Sequence, residues 1–272
     1  MGGFSADWLA LREPADHSAR SVRLTRAVAD AILPDPAPRI LDLAAGTGSN
    51  LRYLMPFVGA DLRVRPAWLL VDHDPALLAR VPNLADVETR VMDLTSRSAS
   101  DRAIFESRAL VTAAALLDLV SESWLRGLAA ICAGHRSAVL FALNYDGRIE
   151  CTPRDEADAA IVALVNAHQR TDKGFGPALG PDATTCAEGC FAAAGYIVDR
   201  DTSDWVLTPA SGELQRQLIE GWAQAAAEIA PAERSLIDGW KARRLGHVDA
   251  SRSHLVVGHE DLAAWGKSRG AR

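Results

Sequence analysis

The stretch Arg39-Ile-Leu-Asp-Leu-Ala-Ala-Gly-Thr-Gly-Ser-Asn50 decides how the rest of the chain folds. It begins as an apolar run interrupted by one carboxylate, Asp42, and small residues follow from Ala44 to Gly48. From Leu51 onward, apolar residues recur at helical spacing. The pattern predicts a strand, a tight turn and a helix, which together open a βαβ unit. In such a turn the glycine backbone lies close to a bound ligand, and the free N–H groups of the following helix face that ligand.

Two families of nucleotide-binding folds use a glycine turn of this kind. The dinucleotide fingerprint G-x-G-x-x-G needs a third glycine for close helix–strand packing, and Leu51 stands at that position. The stretch instead resembles the first motif of class I S-adenosylmethionine (SAM)-dependent methyltransferases, an acidic residue followed by glycines at alternate positions. The chain keeps Asp42, Gly46 and Gly48 and has Ala44 where the first glycine is commonest. A turn that serves only a strand-to-helix junction is the alternative interpretation.

The resemblance covers residues 39–145 by motif and extends by pattern alone to the C-terminus. It implies a Rossmann-like α/β fold with a doubly wound, seven-stranded, mostly parallel sheet whose last strand is antiparallel. Residues 1–38 would form a helical N-terminal cap, and residues 39–272 the SAM-binding domain. We expect two helical insertions, a lid at residues 148–182 after the fifth strand and a second at residues 210–248 after the sixth.

Composition restricts the classes of function. The 272 residues, 49% hydrophobic and 24% charged, suit one globular α/β domain with additions. The net charge is −6 and no basic block is present, so the chain lacks the positive stripe that nucleic acids require. No apolar run approaches a membrane span, and no signal-peptide pattern begins the chain. The four cysteines lack zinc-site spacing. We therefore expect a cytoplasmic protein without a nucleic-acid partner, a membrane partner or a metal.

Carboxylates stand at the ends of two further predicted strands. Asp72 ends the second strand, where a cofactor lying across the strand ends presents its ribose hydroxyls. Capping of the next helix is the alternative role for Asp72, but Asp74 already fills it. By the resemblance, Asp93 accepts a hydrogen bond from the adenine amino group, the N–H of Leu94 meets an adenine ring nitrogen, and His73 lies beside the adenine. A carboxylate that starts a loop is the alternative for Asp93.

The methionine part of SAM needs room at the end of the fourth strand, and the small residues Ala113–Ala115 provide it. In the resembling family an N-terminal helical segment often folds over the cofactor, which makes Arg20 a partner for the SAM carboxylate. A solvated helix face with local ion pairs is the alternative. Asp118 lies just beyond the strand, near the pocket or as a helix cap. The predicted cofactor-binding residues are Arg20, Asp42, Ala44, Gly46, Thr47, Gly48, Asn50, Asp72, His73, Asp93, Leu94 and Ala113.

The acceptor is expected to bind beyond the fifth strand. Polar and aromatic groups follow that strand directly, and a loop rich in glycine and proline comes after the next helix. Loops on rigid scaffolds often carry specificity, although an ordinary surface loop is an equal alternative here. The predicted substrate-binding residues are Asn144, Tyr145, Asp172, Lys173 and Phe175. His168 is the first choice for a catalytic base, because imidazole titrates close to neutral pH.

Together these motifs predict a SAM-dependent methyltransferase that moves the methyl group to a small-molecule acceptor by in-line displacement. SAM supplies the reactive carbon, and the protein supplies position and electrostatics. The Asp-Pro-Pro-Tyr type of motif found in nucleic-acid amino methyltransferases is absent after the fourth strand, where residues 112–118 run Thr-Ala-Ala-Ala-Leu-Leu-Asp. Two alternatives stay open: a nicotinamide-dependent oxidoreductase on a similar sheet, and a non-catalytic SAM-binding regulatory or scaffold protein.

Overall fold

The computed structural model describes residues 5–59, 64–95 and 103–266 of the chain, which is organised around one β-sheet. Its eight strands in these ranges are β1 (Arg39–Leu43), β2 (Ala67–Asp72), β3 (Val87–Val91), β4 (Leu110–Ala114), β5 (Ala138–Thr152), β6 (Tyr196–Thr202), β7 (Trp205–Leu207) and β8 (His254–Gly266).

The strand order is β3-β2-β1-β4-β5-β8-β6, and β7 pairs with β8 beside β6. All pairs from β3 to β5 are parallel, whereas β8 runs antiparallel to β5, β6 and β7. The predicted fold class is therefore confirmed. The sheet has eight strands rather than seven, because the short strand β7 follows β6 and also pairs with β8. The order reverses between β1 and β4, the position where open α/β sheets bind ligands.

Nine α-helices lie in the described ranges: α1 (Ala6–Ala19), α2 (Val22–Ile32), α3 (Ser49–Val58), α4 (Pro75–Leu78), α5 (Glu122–His135), α6 (Asp158–Gln169), α7 (Ala183–Ala193), α8 (Gly212–Ile229) and α9 (Arg234–Asp249). In the part of the chain that is described, none combines the length and the apolar character needed to cross a bilayer.

The central strands are apolar on both faces because helices cover both faces. Ile40 and Leu140 pack with α2 and α3 on one face. Leu41 and Val139 pack with α5 and α7 on the other face. A third apolar cluster joins α6, α8 and α9 to β7 and to the first half of β8.

Strand β5 continues well beyond Leu143, where the sequence predicts its end. Its second half pairs with the first half of β8 after two register shifts, one between Phe141 and Asn144 and one between Tyr145 and Ile149. The extension places Asn144 and Tyr145 within a paired strand rather than in a loop.

Candidate active site

The glycine turn after β1 lies directly under α1. Gly46 and Gly48 have φ angles of +54° and +80°, and Gly48 precedes α3 as its N-cap. A Cβ atom on Gly46 would lie 3.1 Å from Cδ1 of Leu9, a side chain of α1. Both the backbone conformation and the close approach therefore favour glycine at position 46.

Left-handed backbone recurs at the carboxyl edge of three adjacent strands. Ala44 (φ +52°) follows β1, Ala115 (φ +53°) follows β4, and Leu143 (φ +57°) lies at the first irregularity of β5. A residue other than glycine rarely adopts this conformation, and such strain concentrates at functional sites. The strained positions lie along the edge that the sequence predicts to bind the cofactor.

Three buried polar side chains form a chain of hydrogen bonds across this edge. Asn50 Nδ2 donates to Asp42 Oδ1 at 2.8 Å, and Arg20 Nη1 donates to Asn50 Oδ1 at 2.5 Å. The Arg20 guanidinium also lies 4.1 Å from the ring centroid of Tyr53. Asn50 thus connects a buried carboxylate to a buried cation.

The same chain leaves three buried atoms without a hydrogen-bond partner among the described residues: Asp42 Oδ2, Arg20 Nε and Arg20 Nη2. Burial raises the pKa of Asp42 to about 7, although the Asn50 hydrogen bond and the Arg20 charge lower it. Burial likewise lowers the pKa of Arg20. An unpartnered buried polar group costs about 1–3 kcal/mol. The arrangement offers an acceptor and two donors to a small ligand that carries both an ammonium and a carboxylate.

Asp72 joins β2 to the glycine turn. Its Oδ2 accepts from the N–H of Gly46 at 2.8 Å, and its Oδ1 accepts from the N–H of Asp74 at 3.0 Å. Asp74 caps α4, as the sequence predicts. His73 is 71% exposed, and its Nδ1 lies 3.2 Å from Asp72 Oδ1. Each Asp72 oxygen can accept a further hydrogen bond, because a carboxylate oxygen has two lone pairs.

The loop after β3 meets the glycine-rich loop that follows α6. Asp93 Oδ1 accepts from the N–H and the hydroxyl of Thr95, and the carbonyl of Leu94 accepts from Trp124 Nε1 at 2.8 Å. Phe175 packs edge-on against Trp124, with ring centroids 5.5 Å apart. The structure therefore places Phe175, predicted to bind the acceptor, beside the residues predicted to bind adenine.

Asp172 shapes that loop, since its Oδ1 accepts from the N–H groups of Gly174 and Gly176. His168 and Lys173 form a second polar group with α8. His168 Nε2 lies 3.0 Å from Glu228 Oε2, and Lys173 Nζ lies 3.3 Å from His168 Nδ1. Burial lowers the pKa of Lys173. The contacts of His168 with Glu228 and Lys173 thus connect it to α8 and the glycine-rich loop rather than to the chain formed by Asp42, Asn50 and Arg20.

Asn144 and Tyr145, the other predicted substrate residues, both make protein contacts within β5. Asn144 Nδ2 donates to the carbonyls of Phe141 and Glu260. Tyr145 Oη donates to Asn166 Oδ1 at 2.8 Å, which joins β5 to α6.

No protein-family model matches the chain, and no curated protein matches it. Solved structures do match. A cyclopropane-fatty-acyl-phospholipid synthase-like protein from Lactobacillus casei ATCC 334 is 14% identical, with 97% of this chain and 94% of that chain covered and a TM-score of 0.55. The fold is that of the class I SAM-dependent methyltransferases.

Two further solved structures match the chain at lower TM-scores. A SAM-dependent methyltransferase from Thiobacillus denitrificans, in complex with S-adenosyl-L-homocysteine (SAH), is 13% identical, with 97% and 99% of the two chains covered and a TM-score of 0.45. Phospholethanolamine N-methyltransferase 2 from Haemonchus contortus, in complex with phosphomonomethylethanolamine and SAH, is 19% identical with a TM-score of 0.43. The match covers 85% of this chain but only 49% of that chain, so this protein spans about half the length of that neighbour.

Sequence reasoning missed several side chains at this edge of the methyltransferase fold. We define the Asp118 cluster as Asp118, its electrostatic neighbours Arg12 and Tyr145, and the rings of Trp205 and His259 that contact those neighbours. The Arg12 guanidinium lies 4.9 Å from the Trp205 ring centroid, and the His259 ring lies 5.0 Å from Trp205 and 6.3 Å from Tyr145. Asp118 and Tyr145 carried a signal, because each follows a predicted strand, whereas Arg12, Trp205 and His259 were missed. His259 lies on β8, whose pairing with β5 local sequence does not specify.

Proposed function

We propose that this protein is a SAM-dependent methyltransferase that acts on a small-molecule acceptor. The observation that carries the proposal is the unpartnered set formed by Arg20 Nε, Arg20 Nη2 and Asp42 Oδ2. SAM ends in an α-amino acid, which carries a carboxylate and an ammonium group. A guanidinium matches a carboxylate through paired N–H donors, and a carboxylate oxygen accepts from an ammonium. Binding of this group would supply all three atoms with partners.

The rest of SAM would follow the carboxyl edge of the sheet. Asp72, already oriented by the glycine turn, has lone pairs left for ribose hydroxyls. Asp93, Leu94 and His73 are proposed for the adenine, and Trp124 with Phe175 adds an aromatic wall there. The small residues Ala44, Gly46, Thr47, Gly48 and Ala113 line the strand ends between these groups.

When bound, SAM supplies the reactive methyl group, so the protein has only to bind, orient and exclude water. Arg20 and Asp42 would fix the amino-acid end, and Leu9 of α1 would shield the glycine turn from solvent. His168 stays a prediction for the base. Its contacts with Glu228 and Lys173 make His168→Asn a simple test of that role, because activity should survive if the histidine only joins two helices.

Calorimetric titration with SAM, SAH and NADH tests the proposal. We expect SAM and SAH to bind and NADH not to bind. Arg20→Met should weaken SAH binding at least about tenfold, because two charge-assisted hydrogen bonds are lost. Arg23→Met is the matched control, since Arg23 forms surface ion pairs with Asp199 and Asp201 instead. NADH binding without SAH binding would support the oxidoreductase alternative, and unchanged SAH affinity in Arg20→Met would refute the assigned role.

A further inference from the structure

Asp118 is a buried carboxyl group that no structural role accounts for. It follows β4 at the strained carboxyl edge of the sheet and is 7% exposed. The following helix, α5, is capped by Ser121, whose hydroxyl accepts from the N–H of Trp124 at 3.3 Å. Helix capping, one of the two roles that the sequence allows, therefore does not explain Asp118. Its Oδ1 is buried without a hydrogen-bond partner in the described chain.

Arg12, whose charge acts on Asp118, is already paired with another carboxylate. Arg12 Nε and Nη2 donate to Asp16 at 2.9–3.2 Å, and Trp205 Nε1 donates to the same carboxylate at 3.1 Å. Burial raises the pKa of Asp118 to about 6, although a hydrogen bond from its own backbone N–H and the charge of Arg12 lower it. The Arg12 guanidinium bonds Asp16 rather than Asp118, and Asp118 Oδ1 has no hydrogen-bond partner among the described residues.

The remaining members of the Asp118 cluster carry no charge near neutral pH. Burial raises the pKa of Tyr145 and lowers the pKa of His259 to about 3. His259 Nδ1 lies 3.0 Å from the carbonyl of Val257, so Nδ1 carries the proton in the neutral ring. Behind His259, Arg148 bonds both Asp146 and Asp204. Carboxylates therefore outnumber cations on that side as well, and the cluster suits a cation.

Three members of the cluster are aromatic rings that contact one another. Trp205, His259 and Tyr145 follow one another at centroid distances of 5.0 and 6.3 Å. Indole and phenol rings attract an ammonium group through their electron-rich faces, and their apolar surface accommodates its alkyl part. A carboxylate without a partner beside such rings matches an alkylammonium ion better than an alcohol or an anion.

We propose that the acceptor is a small amine whose ammonium group binds Asp118. This proposal deepens the proposed function and rests on it for the identity of the reaction. The ammonium would pass one proton to the Asp118 carboxylate, which leaves a neutral amine with a free lone pair and a neutral carboxylic acid. Burial favours this neutral pair over two charges. The same carboxylate would be too weak a base to deprotonate an alcohol.

The test uses n-butylammonium as a probe and n-butanol of the same length as its control. The readout is the indole N–H resonance of Trp205 in ¹⁵N-labelled protein, assigned through a Trp205→Phe variant. We expect n-butylammonium to shift this resonance saturably in the wild-type chain and n-butanol to leave it unchanged. Asp118→Asn should weaken the titration at least about tenfold, the loss of a charge-assisted contact. Asp182→Asn, which neutralises an exposed carboxylate paired with Arg170, should titrate like the wild type.

The amine proposal would be overturned if n-butylammonium does not shift the Trp205 resonance in the wild type, or if it shifts this resonance equally in Asp118→Asn. Asp118→Ser provides a second neutral variant if Asp118→Asn does not fold. SAH titration of the same samples separates the two proposals. SAH binding without an amine response refutes only the acceptor class, and an amine response without SAH binding refutes the methyltransferase function while the cation site stands.

Discussion

Asp42 shows how one residue couples ligand binding to pH. Its carboxyl group is fully buried, and burial raises its pKa from an ordinary value of 3.8 to about 7. Between these values the folded protein holds a proton that the unfolded chain has released. This group therefore makes the unliganded protein less stable as pH rises through that window. A bound ammonium group would reverse the preference, because it favours the ionised carboxylate.

We predict that Asp42→Asn separates these two effects. The variant should melt at a higher temperature than the wild type at pH 8, because no charge has to be buried, and the difference should shrink toward pH 4. Its SAH affinity should fall by about 1.5–3 kcal/mol, the value of a hydrogen bond to a charged group. Thermal melts across pH and calorimetry measure both. Asp74→Asn should change neither quantity, since asparagine also caps helices. An Asp42→Asn variant that binds SAH as the wild type does would contradict the assignment.

Ala44 gives a second prediction at the scale of one residue. Its φ of +52° costs an alanine about 1 kcal/mol that a glycine does not incur. Ala44→Gly should therefore leave the protein equally stable or up to about 1 kcal/mol more stable in urea unfolding. Ala163→Gly should instead lower the free energy of unfolding, because Ala163 is an exposed residue inside α6, where glycine costs about 1 kcal/mol. Equal destabilisation by both substitutions would show that the left-handed conformation at Ala44 imposes no strain.

At the scale of elements, polar contacts hold α1 over the glycine turn. Glu13 accepts from Arg52 Nε at 2.7 Å, and Arg52 Nη1 donates to the carbonyl of Thr47 at 2.7 Å. His17 Nε2 lies 3.1 Å from the hydroxyl of Ser49. These contacts connect α1 to α3 and hold the helix over the glycine turn.

We predict that Glu13→Gln loosens α1. Glutamine retains one hydrogen bond to Arg52 but loses the charge that holds both guanidinium donors. Limited proteolysis within α1 should be faster in the variant, and saturating SAH should slow it in both proteins. Glu122→Gln, which removes a similar arginine pair from the exposed surface of α5, serves as the control. Equal cleavage rates for Glu13→Gln and the wild type would show that the ion pair does not hold the helix.

The elements also show which parts of the structure the sequence could predict. The turn from Asp42 to Gly48 and the cap at Asp74 were predictable, because each depends on backbone preferences within a few residues. The length of β5 was not, since its second half depends on pairing with a strand that lies about a hundred residues later. The sequence did not predict that Asp118 and Tyr145 lie with Arg12, Trp205 and His259 for the same reason: the members come from α1, β5, β7, β8 and the loop after β4.

At the scale of the whole molecule, a buried ion pair anchors the helical insertion. Arg244 of α9 is completely buried and bonds Asp158 of α6 and the carbonyl of Pro153. Trp240 Nε1 donates to the same aspartate at 2.8 Å. The neighbouring Arg243 bonds Asp155 at the surface.

Adjacent arginines therefore allow a matched comparison. Arg244→Ala should lower the free energy of unfolding by about 3–5 kcal/mol, because it leaves Asp158 without its cation and opens a cavity. Arg243→Ala should lower the urea midpoint less than Arg244→Ala does, because the Arg243 side chain is half exposed and water solvates part of its ion pair with Asp155. Similar midpoints for the two variants would show that burial adds nothing to the Arg244 pair.

The hydrogen bonds of Asp261 affect when the proposed pocket can form during translation. This buried carboxylate of β8 accepts from the N–H of Ser21, where α2 begins beside Arg20, and from the N–H of Leu143 in β5. A ribosome delivers the glycine turn, Asn50 and Arg20 long before it delivers residue 261. Until that residue leaves the exit tunnel, the junction beside Arg20 lacks the two hydrogen bonds of Asp261 that join it to β5 and β8. We therefore expect the proposed pocket to mature late in translation and an unfinished nascent chain to bind the ligand more weakly.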